Sequence, residues 1–345
     1  MNKTLTEFKI IGLLRLSALG DIIWTLPMLN ELKKNYPNSK IVYFCSKPFS
    51  DVVEDISGVE FVIIRKPRSL KDYIQAIKKL REYNFDLFLC TQANLRVNIL
   101  YPFIKSQRKI GFDSIRGRDE HRFFVPEQIP YKKEHALEAF LGFLDYLNLP
   151  FSKDKLEYNI PSTKSSTKWH QDQDFGDYIC IHPCASHANR TWNVENYIEL
   201  IKLLINNHSF KVVLTGTAND SDFTGKIKSN LVSDQVLDLA GRTGLKDLCV
   251  LFKNSSLVIA PDSGPIHLAN AFDTKVLGLY VSLPSQFTGP YGQAQSCIDK
   301  YDQALIKYLK INPEKVSWRT RVNEVGMMSL ISVKEVYQKV LKILE

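Results

Sequence analysis

Two segments in opposite halves of the chain constrain its fold more than any other feature. Each is an apolar run, then a short polar loop carrying glycine, then a helix-like run. The first is Ile10-Ile11-Gly12-Leu13-Leu14-Arg15-Leu16-Ser17-Ala18-Leu19-Gly20-Asp21. The second is Ser256-Leu257-Val258-Ile259-Ala260-Pro261-Asp262-Ser263-Gly264-Pro265-Ile266-His267. Apolar runs without polar alternation read as strands buried on both faces of a parallel sheet. Ligands of open α/β sheets bind just beyond the carboxyl ends of such strands. Two such loops are expected to belong to two α/β domains facing one cleft, with a carboxylate in one loop and an anion-binding helix start in the other. That pairing suits group transfer from a charged donor.

Strand and helix patterns alternate along the rest of the chain, which argues a mostly parallel sheet with helices on both faces. Strands are expected at 8–15, Lys40–Ser46, Phe61–Arg65, Asp86–Thr91 and Ile110–Phe112, and helices at Asp21–Tyr36, Leu70–Glu82 and His135–Leu147. Within the first of these helices, Pro27 is expected to be tolerated only near the start. The polar stretch Pro161–Lys168 cannot bury much surface and reads as a linker. Alternation then restarts, with strands at Tyr178–His182, Lys211–Thr215, Val236–Leu239, Leu257–Ala260 and Val276–Tyr280, and helices at Val194–Leu204 and Leu245–Phe252. The expected domains are therefore 1–160 and 174–330. A last helix within 331–345 is expected to pack back on the first domain. Residues 293–330 carry no interpretable motif, and Tyr301, Lys307 and Trp318 read there as packing and surface.

Composition narrows the class. The chain has 345 residues, 44% hydrophobic and 24% charged, within the range of a soluble globular protein. It opens with no signal-peptide pattern and holds no run of 18 uncharged apolar residues, so a cytoplasmic location is expected. Its six cysteines form no close CxxC pair, which argues against structural zinc and fits a reducing compartment. The net charge of +8 permits polyanionic partners. Along the sequence it reads as dispersed rather than packed in one stripe, so nucleic acid is not expected. Local basic stretches at Arg65–Lys71 and Arg116–Arg118 read either as solvated surface or as a face for an anionic acceptor or membrane.

The loops hold the chemistry. Asp21, after Gly20, reads either as a helix cap or as a general base at the mouth of a cleft. Ser17 reads either as a cap or as a substrate donor. The glycine spacing is not that of a dinucleotide fingerprint, since Gly12 lies inside the strand and Gly20 stands alone. In the second loop, Pro265 suits a helix's first turn, and the backbone N–H groups of Ser263, Gly264 and Ile266 suit a phosphate. His267 reads as a ligand contact or as core, and Asp262 as a sugar contact or a loop brace. After the strand at 178–182, Ser186 and Arg190 are candidates for diphosphate oxygens. Thr215, Gly216, Gly241 and Thr243 are candidates to line a base and ribose, with glycine leaving room for a flat ring.

Together these loops resemble the bacterial heptosyltransferases, glycosyltransferase family 9, over about residues 8–295. Ser17-Ala18-Leu19-Gly20-Asp21 followed by Trp24-Thr25-Leu26-Pro27 is similar to the family's opening signature. Pro261-Asp262-Ser263-Gly264-Pro265-Ile266-His267-Leu268-Ala269 is similar to its donor-site signature. His135-Ala136-Leu137-Glu138 and Asp238-Leu239-Ala240-Gly241-Arg242-Thr243 add support. The resemblance implies an α/β GT-B fold, two Rossmann-like domains facing a central cleft. It also implies metal-independent, inverting transfer of a heptose from an ADP-sugar to the lipopolysaccharide inner core, with no cofactor. Asp21 then matches the proposed base. Ser186, Arg190, Thr215, Gly216, Gly241, Asp262, Ser263, Gly264, Pro265 and His267 fall on the donor side, and Ser17, Gly20, Gln92 and Arg116 on the acceptor side. The family's basic residue before Trp-Pro is shifted here, in Arg190-Thr191-Trp192-Asn193, and the proline is lost. The acceptor implied is a lipid-anchored anionic saccharide, which brings peripheral contact with the cytoplasmic face of the inner membrane.

Three rival readings stand beside this one. A related family 9 enzyme would use another sugar or acceptor, with 282–290 as a specificity element. A nicotinamide dehydrogenase is opposed by the missing glycine fingerprint. A non-catalytic sugar- or polyanion-binding protein would tolerate loss of Asp21.

Overall fold

The computed structural model describes residues 7–161, 176–208, 210–231, 233–317 and 320–345. The chain divides into two compact units, Met1–Pro161 and Ser162–Glu345. Beyond Pro161, the expected linker lies outside the described residues, as does Trp318.

The first unit is built on six strands: β1 Ile10–Leu14, β2 Lys40–Cys45, β3 Val59–Ile63, β4 Asn84–Cys90, β5 Lys105–Gly111 and β6 Glu127–Gln128. They pair in parallel in the order β3-β2-β1-β4-β5-β6. Helices α1 Leu19–Asn35, α2 Leu70–Leu80 and α3 Ala136–Tyr146 cover the sheet. Strand alternation sorts the two faces. Leu14, Val42, Phe44 and Phe88 join Ala76 and Leu80 of α2 in one core layer. Tyr43, one residue out of phase, meets α1 through a 2.8 Å hydrogen bond between its hydroxyl and that of Thr25. Because α1 is wedged between sheet and α3, it is buried nearly all round, and the helix continues past Pro27, its ninth residue, rather than tolerating proline only near its start. Packing on both sides outweighs the backbone bond that proline forfeits.

The second unit repeats the plan. Its strands are β7 Tyr178–Ile181, β8 Lys211–Leu214, β9 Val236–Asp238, β10 Leu257–Pro261, β11 Val276–Tyr280 and β12 Ile298–Asp299. They lie in the order β12-β11-β10-β7-β8-β9, all parallel. Its helices are α4 Val194–His208, α5 Ser221–Ser229, α6 Leu245–Lys253, α7 Gly264–Asn270 and α8 Val333–Leu344. In each unit the first strand lies beside the second and the fourth, so strand order reverses there. Such reversals open a crevice at the carboxyl ends of the two central strands.

The last helix, α8, packs on α4, and Val333, Val336 and Val340 belong to the second unit's core. Its attachment is reinforced by the Trp192 indole, which donates to the Ile331 carbonyl at 3.0 Å. Strand β5 spans Lys105–Gly111, starting before the expected Ile110, because its early residues alternate polar side chains at a half-exposed position.

Candidate active site

Each unit presents polar residues at its reversal point. In the first, β1 ends at Leu14 and β4 at Cys90, and the loops beyond them are tied together. The Gln92 side chain is buried; its Oε1 accepts from the Leu16 N–H at 2.7 Å and its Nε2 donates to Ser17 Oγ at 3.3 Å. Lys66, from the loop after β3, donates to the same Ser17 Oγ at 3.0 Å. Ser17, Gln92 and the buried Gly20 of α1's first turn are thus brought into one place.

Asp21 stands beside them in the first turn of α1. Its Oδ2 accepts the Ala18 N–H at 3.0 Å, closing the helix start, and its Oδ1 pairs with the Arg15 guanidinium at 2.6 Å. Arg15 is held in turn by the Thr91 carbonyl and lies over the Phe140 ring. The Asp21 side chain keeps 31% of its exposure while Arg15 keeps 12%. A carboxylate oriented by two donors and still open to solvent can serve both as cap and as base, so the two sequence readings are compatible. Lys66 holds its proton less tightly than an ordinary lysine, from burial first and then from the nearby Arg96, Arg15 and Arg68. A pocket edge crowded with like charges favours an incoming anion.

Arg116 is placed elsewhere. Its guanidinium is nearly buried, pairs with Asp113 and with Glu134 at 3.0 Å, and donates to the Pro130 carbonyl at 2.6 Å. With its donors engaged this way, it braces the loop after β5 instead of joining Ser17 and Gln92.

In the second unit, Arg190 reaches the end of β10. One guanidinium nitrogen donates to both the Asp262 carbonyl and its Oδ2 at 3.0 Å; another donates to Ser186 Oγ at 2.8 Å. Arg190 and Asp262 are 13% and 11% exposed, so the pair is largely desolvated. Ser263 is the N-cap of α7, with Gly264 and Pro265 in its first turn and Ser263 Oγ donating to the Pro261 carbonyl at 3.2 Å. His267, one turn along, is buried.

The ends of β8 and β9 differ from expectation. Thr215 is fully buried, and its hydroxyl meets His182 Nδ1 at 3.1 Å. Burial lowers the His182 pKa to about 4, so the ring is neutral. The glycines approach protein rather than leaving an open slot. A Cβ on Gly216 would lie 2.9 Å from Asp220 Cβ, and Gly241, at φ +72°, packs against Ala218. The Gly241 N–H donates to the Gly216 carbonyl at 3.0 Å, binding the two loops together.

Sequence reasoning missed the second anchor of Arg15 at the Thr91 carbonyl, the Lys66–Ser17 bond and the His182–Thr215 pair. A lysine in the basic stretch after β3 was the available signal for the second. The loop after β7 also lines a cavity of about 440 Å³ with Cys184, Trp192, Glu195, Asp220 and Phe223 among its walls. Asp220 closes its own turn by accepting the Thr217 N–H and hydroxyl, both at 2.7 Å.

Comparisons with known proteins agree on one family. The model for glycosyltransferase family 9 (heptosyltransferase) matches residues 73–316, well over half the chain. The lipopolysaccharide core heptosyltransferase OpsX of Haemophilus influenzae is 28% identical over 343 residues, covering 97% of each chain. Lipopolysaccharide heptosyltransferase 3 of Escherichia coli is 24% identical, covering 79% of this chain and 82% of that one. Among solved structures, a family 9 glycosyltransferase of Veillonella parvula superposes with a TM-score of 0.77 at 20% identity, covering 100% and 99% of the two chains. The E. coli heptosyltransferase WaaC with ADP gives 0.74 at 18% identity, covering 97% and 99%. These likenesses carry the expected GT-B fold.

Proposed function

The chain belongs to glycosyltransferase family 9, and from that premise we propose that it moves a heptose from ADP-heptose to the inner core of lipopolysaccharide. The reading takes the transfer as inverting, independent of metal and of any cofactor, and carried out at the cytoplasmic face of the inner membrane. The observation that carries it is Asp21: a carboxylate at the reversal point of a doubly wound sheet, oriented by Arg15 and the Ala18 N–H yet open to an incoming hydroxyl. OpsX, similar along almost the whole chain, supports the sugar and the acceptor. The solved relative with ADP supports the nucleotide.

In this mechanism Asp21 takes the acceptor's proton as the new glycosidic bond forms. The bond from the anomeric carbon to the diphosphate breaks on the opposite face, and the leaving group carries away the electron pair. Charge therefore grows on the diphosphate, and Arg190 and Ser186 supply charge-assisted and neutral hydrogen bonds there. Asp262 holds Arg190 in place, and the N–H groups at Ser263 and Gly264 add donors. We assign the ribose and base to the neighbouring ends of β8 and β9, with Gly216 and Gly241 building the floor and Thr215 fixing it from beneath. His267 is assigned to packing behind the donor loop. On the acceptor side, Ser17 and Gln92 position the hydroxyl, and Lys66 with Arg96 and Arg68 meets the acceptor's phosphate or carboxylate groups.

The test is a metal-free calorimetric screen of ADP, ADP-heptose, UDP, GDP and NAD, followed by transfer to a core acceptor in EDTA. Preference for ADP and ADP-heptose with EDTA-resistant transfer is expected. Preference for UDP or GDP would overturn the donor, and tight NAD binding would overturn the reaction class.

A further inference from the structure

Nine large apolar side chains stand exposed among the described residues, and seven belong to the first unit. Five of these sit on α2 and on the connection from β4 to β5: Leu70, Ile74, Leu95, Ile99 and Phe103. The two segments lie side by side. Ala76 and Leu80 of α2 share one core layer with Val97, Leu100, Tyr101 and Ile104 of the connection, so both cover the same face of the sheet. The Arg81 guanidinium at the end of α2 stands 5.6 Å from the centre of the Phe103 ring. Arg96 lies close enough to act electrostatically on Tyr73 of α2 and on Lys66. Leu70 and Ile74 are one helical turn apart, as are Leu95 and Ile99, and their side chains point away from the shared core. Leu70 is 77% exposed and Ile74 60%.

The charge of this face is one-sided. Residues 65–81 and 94–104 hold eight lysines and arginines against one carboxylate. That carboxylate, Asp72, is buried and accepts the backbone N–H groups of Arg68 and Ser69. The two segments therefore carry +7 of a whole-chain net charge of +8. Surface apolar groups interleaved with cations, with exposed acids only at the border, Glu82 after α2 and Asp119 where it accepts the Leu95 N–H at 2.8 Å, are the pattern of a surface that lies in a lipid headgroup layer. The apolar ends enter the acyl boundary while Lys71, Lys78 and Arg81 reach lipid phosphates along their aliphatic stems. A protein partner is less well matched, since lysine is depleted from the core of protein interfaces. A second copy of the chain would set two +7 faces against each other.

We propose that this face docks the enzyme on an anionic bilayer. Lys66 belongs to the same segment and bonds Ser17 at the mouth of β1, so the docked face borders the proposed acceptor site. The purpose of docking, to meet a lipid-anchored acceptor, rests on the function proposed above; the docking itself does not.

Flotation of the full chain with phosphatidylcholine vesicles, with and without phosphatidylglycerol, tests it. The wild type is expected to bind the anionic vesicles at least about tenfold more tightly than the neutral ones, with binding weakening in high salt. Replacing Leu70, Ile74 and Leu95 together by serine is expected to weaken anionic binding by about tenfold or more. The same variant should keep the wild-type melting temperature and wild-type transfer to an acyl-free, water-soluble acceptor. A control with Ile306→Ser and Val325→Ser in the second unit should float as the wild type does. Wild-type flotation of the triple variant, or no preference for anionic vesicles, would overturn the proposal. So would sedimentation showing a dimer that the triple variant disperses while neither protein floats. Failure of both proteins to transfer sugar, with flotation as expected, would sink the proposed reaction and leave the docking face standing.

Discussion

Asp21→Asn separates the two roles that one carboxylate holds. Its Oδ2 closes the start of α1 on the Ala18 N–H, and its Oδ1 pairs with Arg15. An asparagine keeps one acceptor oxygen, so it can satisfy Ala18 only by turning its amide toward Arg15, or the reverse. Losing a helix-start bond costs about 0.5–2 kcal/mol, and a half-exposed ion pair about 1 kcal/mol at most. A net loss of about 1–2 kcal/mol lowers the melting temperature by roughly 2–8 °C in a unit of this size. Losing a general base is a different order of effect, about 10²–10⁴-fold in turnover, or roughly 3–5 kcal/mol of barrier. The assay is quenched-flow sugar transfer with saturating donor and acceptor, alongside calorimetric donor affinity and a thermal melt. Turnover should fall by at least about a hundredfold with donor affinity within a few-fold. A protein that melts a few degrees early but transfers sugar within threefold of the wild type would refute the base and leave only the cap.

Arg190→Ala should weaken ADP binding by about 10–100-fold, the worth of charge-assisted hydrogen bonds, and equal calorimetric affinity would show that other groups hold the diphosphate. Gly12→Ala puts a Cβ 2.5 Å from Phe88 Cδ2 and 2.7 Å from Phe85 Cε1, so urea unfolding of the first unit should lose about 1–3 kcal/mol; an unchanged midpoint would mean that the rings move aside freely. His121 and His182 are buried and neutral, each with its pKa pushed down to about 4. Their stabilising effect is full above the ordinary histidine pKa and is lost as pH falls toward 4, because the unfolded chain takes up the proton first. Each should cost about 2 kcal/mol between pH 7.5 and 5, read by urea unfolding, and no change over that window would refute their neutral burial.

The fold was legible wherever burial on both faces wrote itself as an unbroken apolar run. β1, β2, β10 and β11 are such runs, and small polar residues follow within three positions of each end: Ser17 after β1, Ser46 after β2, Asp262 after β10 and Ser282 after β11. Legibility failed where pairing rather than composition makes the element. β6 and β12 are two residues long and exist because β5 and β11 offer an edge. The early half of β5, Lys105 to Lys109, has no apolar face to announce it, since it lies alongside β4 with its side chains partly in water. α5 was hidden by Gly225 and a polar sequence; the Thr217–Asp220 turn that precedes it became visible as a helix-start signal only with the backbone in view. α8 showed its amphipathic period plainly, but period alone does not say which core the stripe meets.

For the site, sequence located the loops but not the partners that hold the side chains within them, for one physical reason. A residue's place on a strand end fixes its backbone at the crevice, while its side chain is claimed by whatever partner lies nearest. Arg116 was expected to face the acceptor because it sits in a basic stretch; Asp113 and Glu134, three residues before it and eighteen after, take its guanidinium instead. Thr215 sits at a strand end as expected, but His182 on the adjacent strand end claims its hydroxyl. Gly216 and Gly241 were read as room for a ligand, whereas the space their missing Cβ atoms leave is filled by Asp220 and Ala218. Asp21 escaped this fate because its two donors, Arg15 and the Ala18 N–H, are local and approach from the protein side, leaving part of the carboxylate facing out. Arg190 is the intermediate case. Asp262 and Ser186 already hold it, yet guanidinium has five N–H donors, and the contacts described use two of its nitrogens. An arginine held in place by a carboxylate from the facing strand end is better suited to a diphosphate than a free one, because less side-chain entropy is lost when the anion arrives.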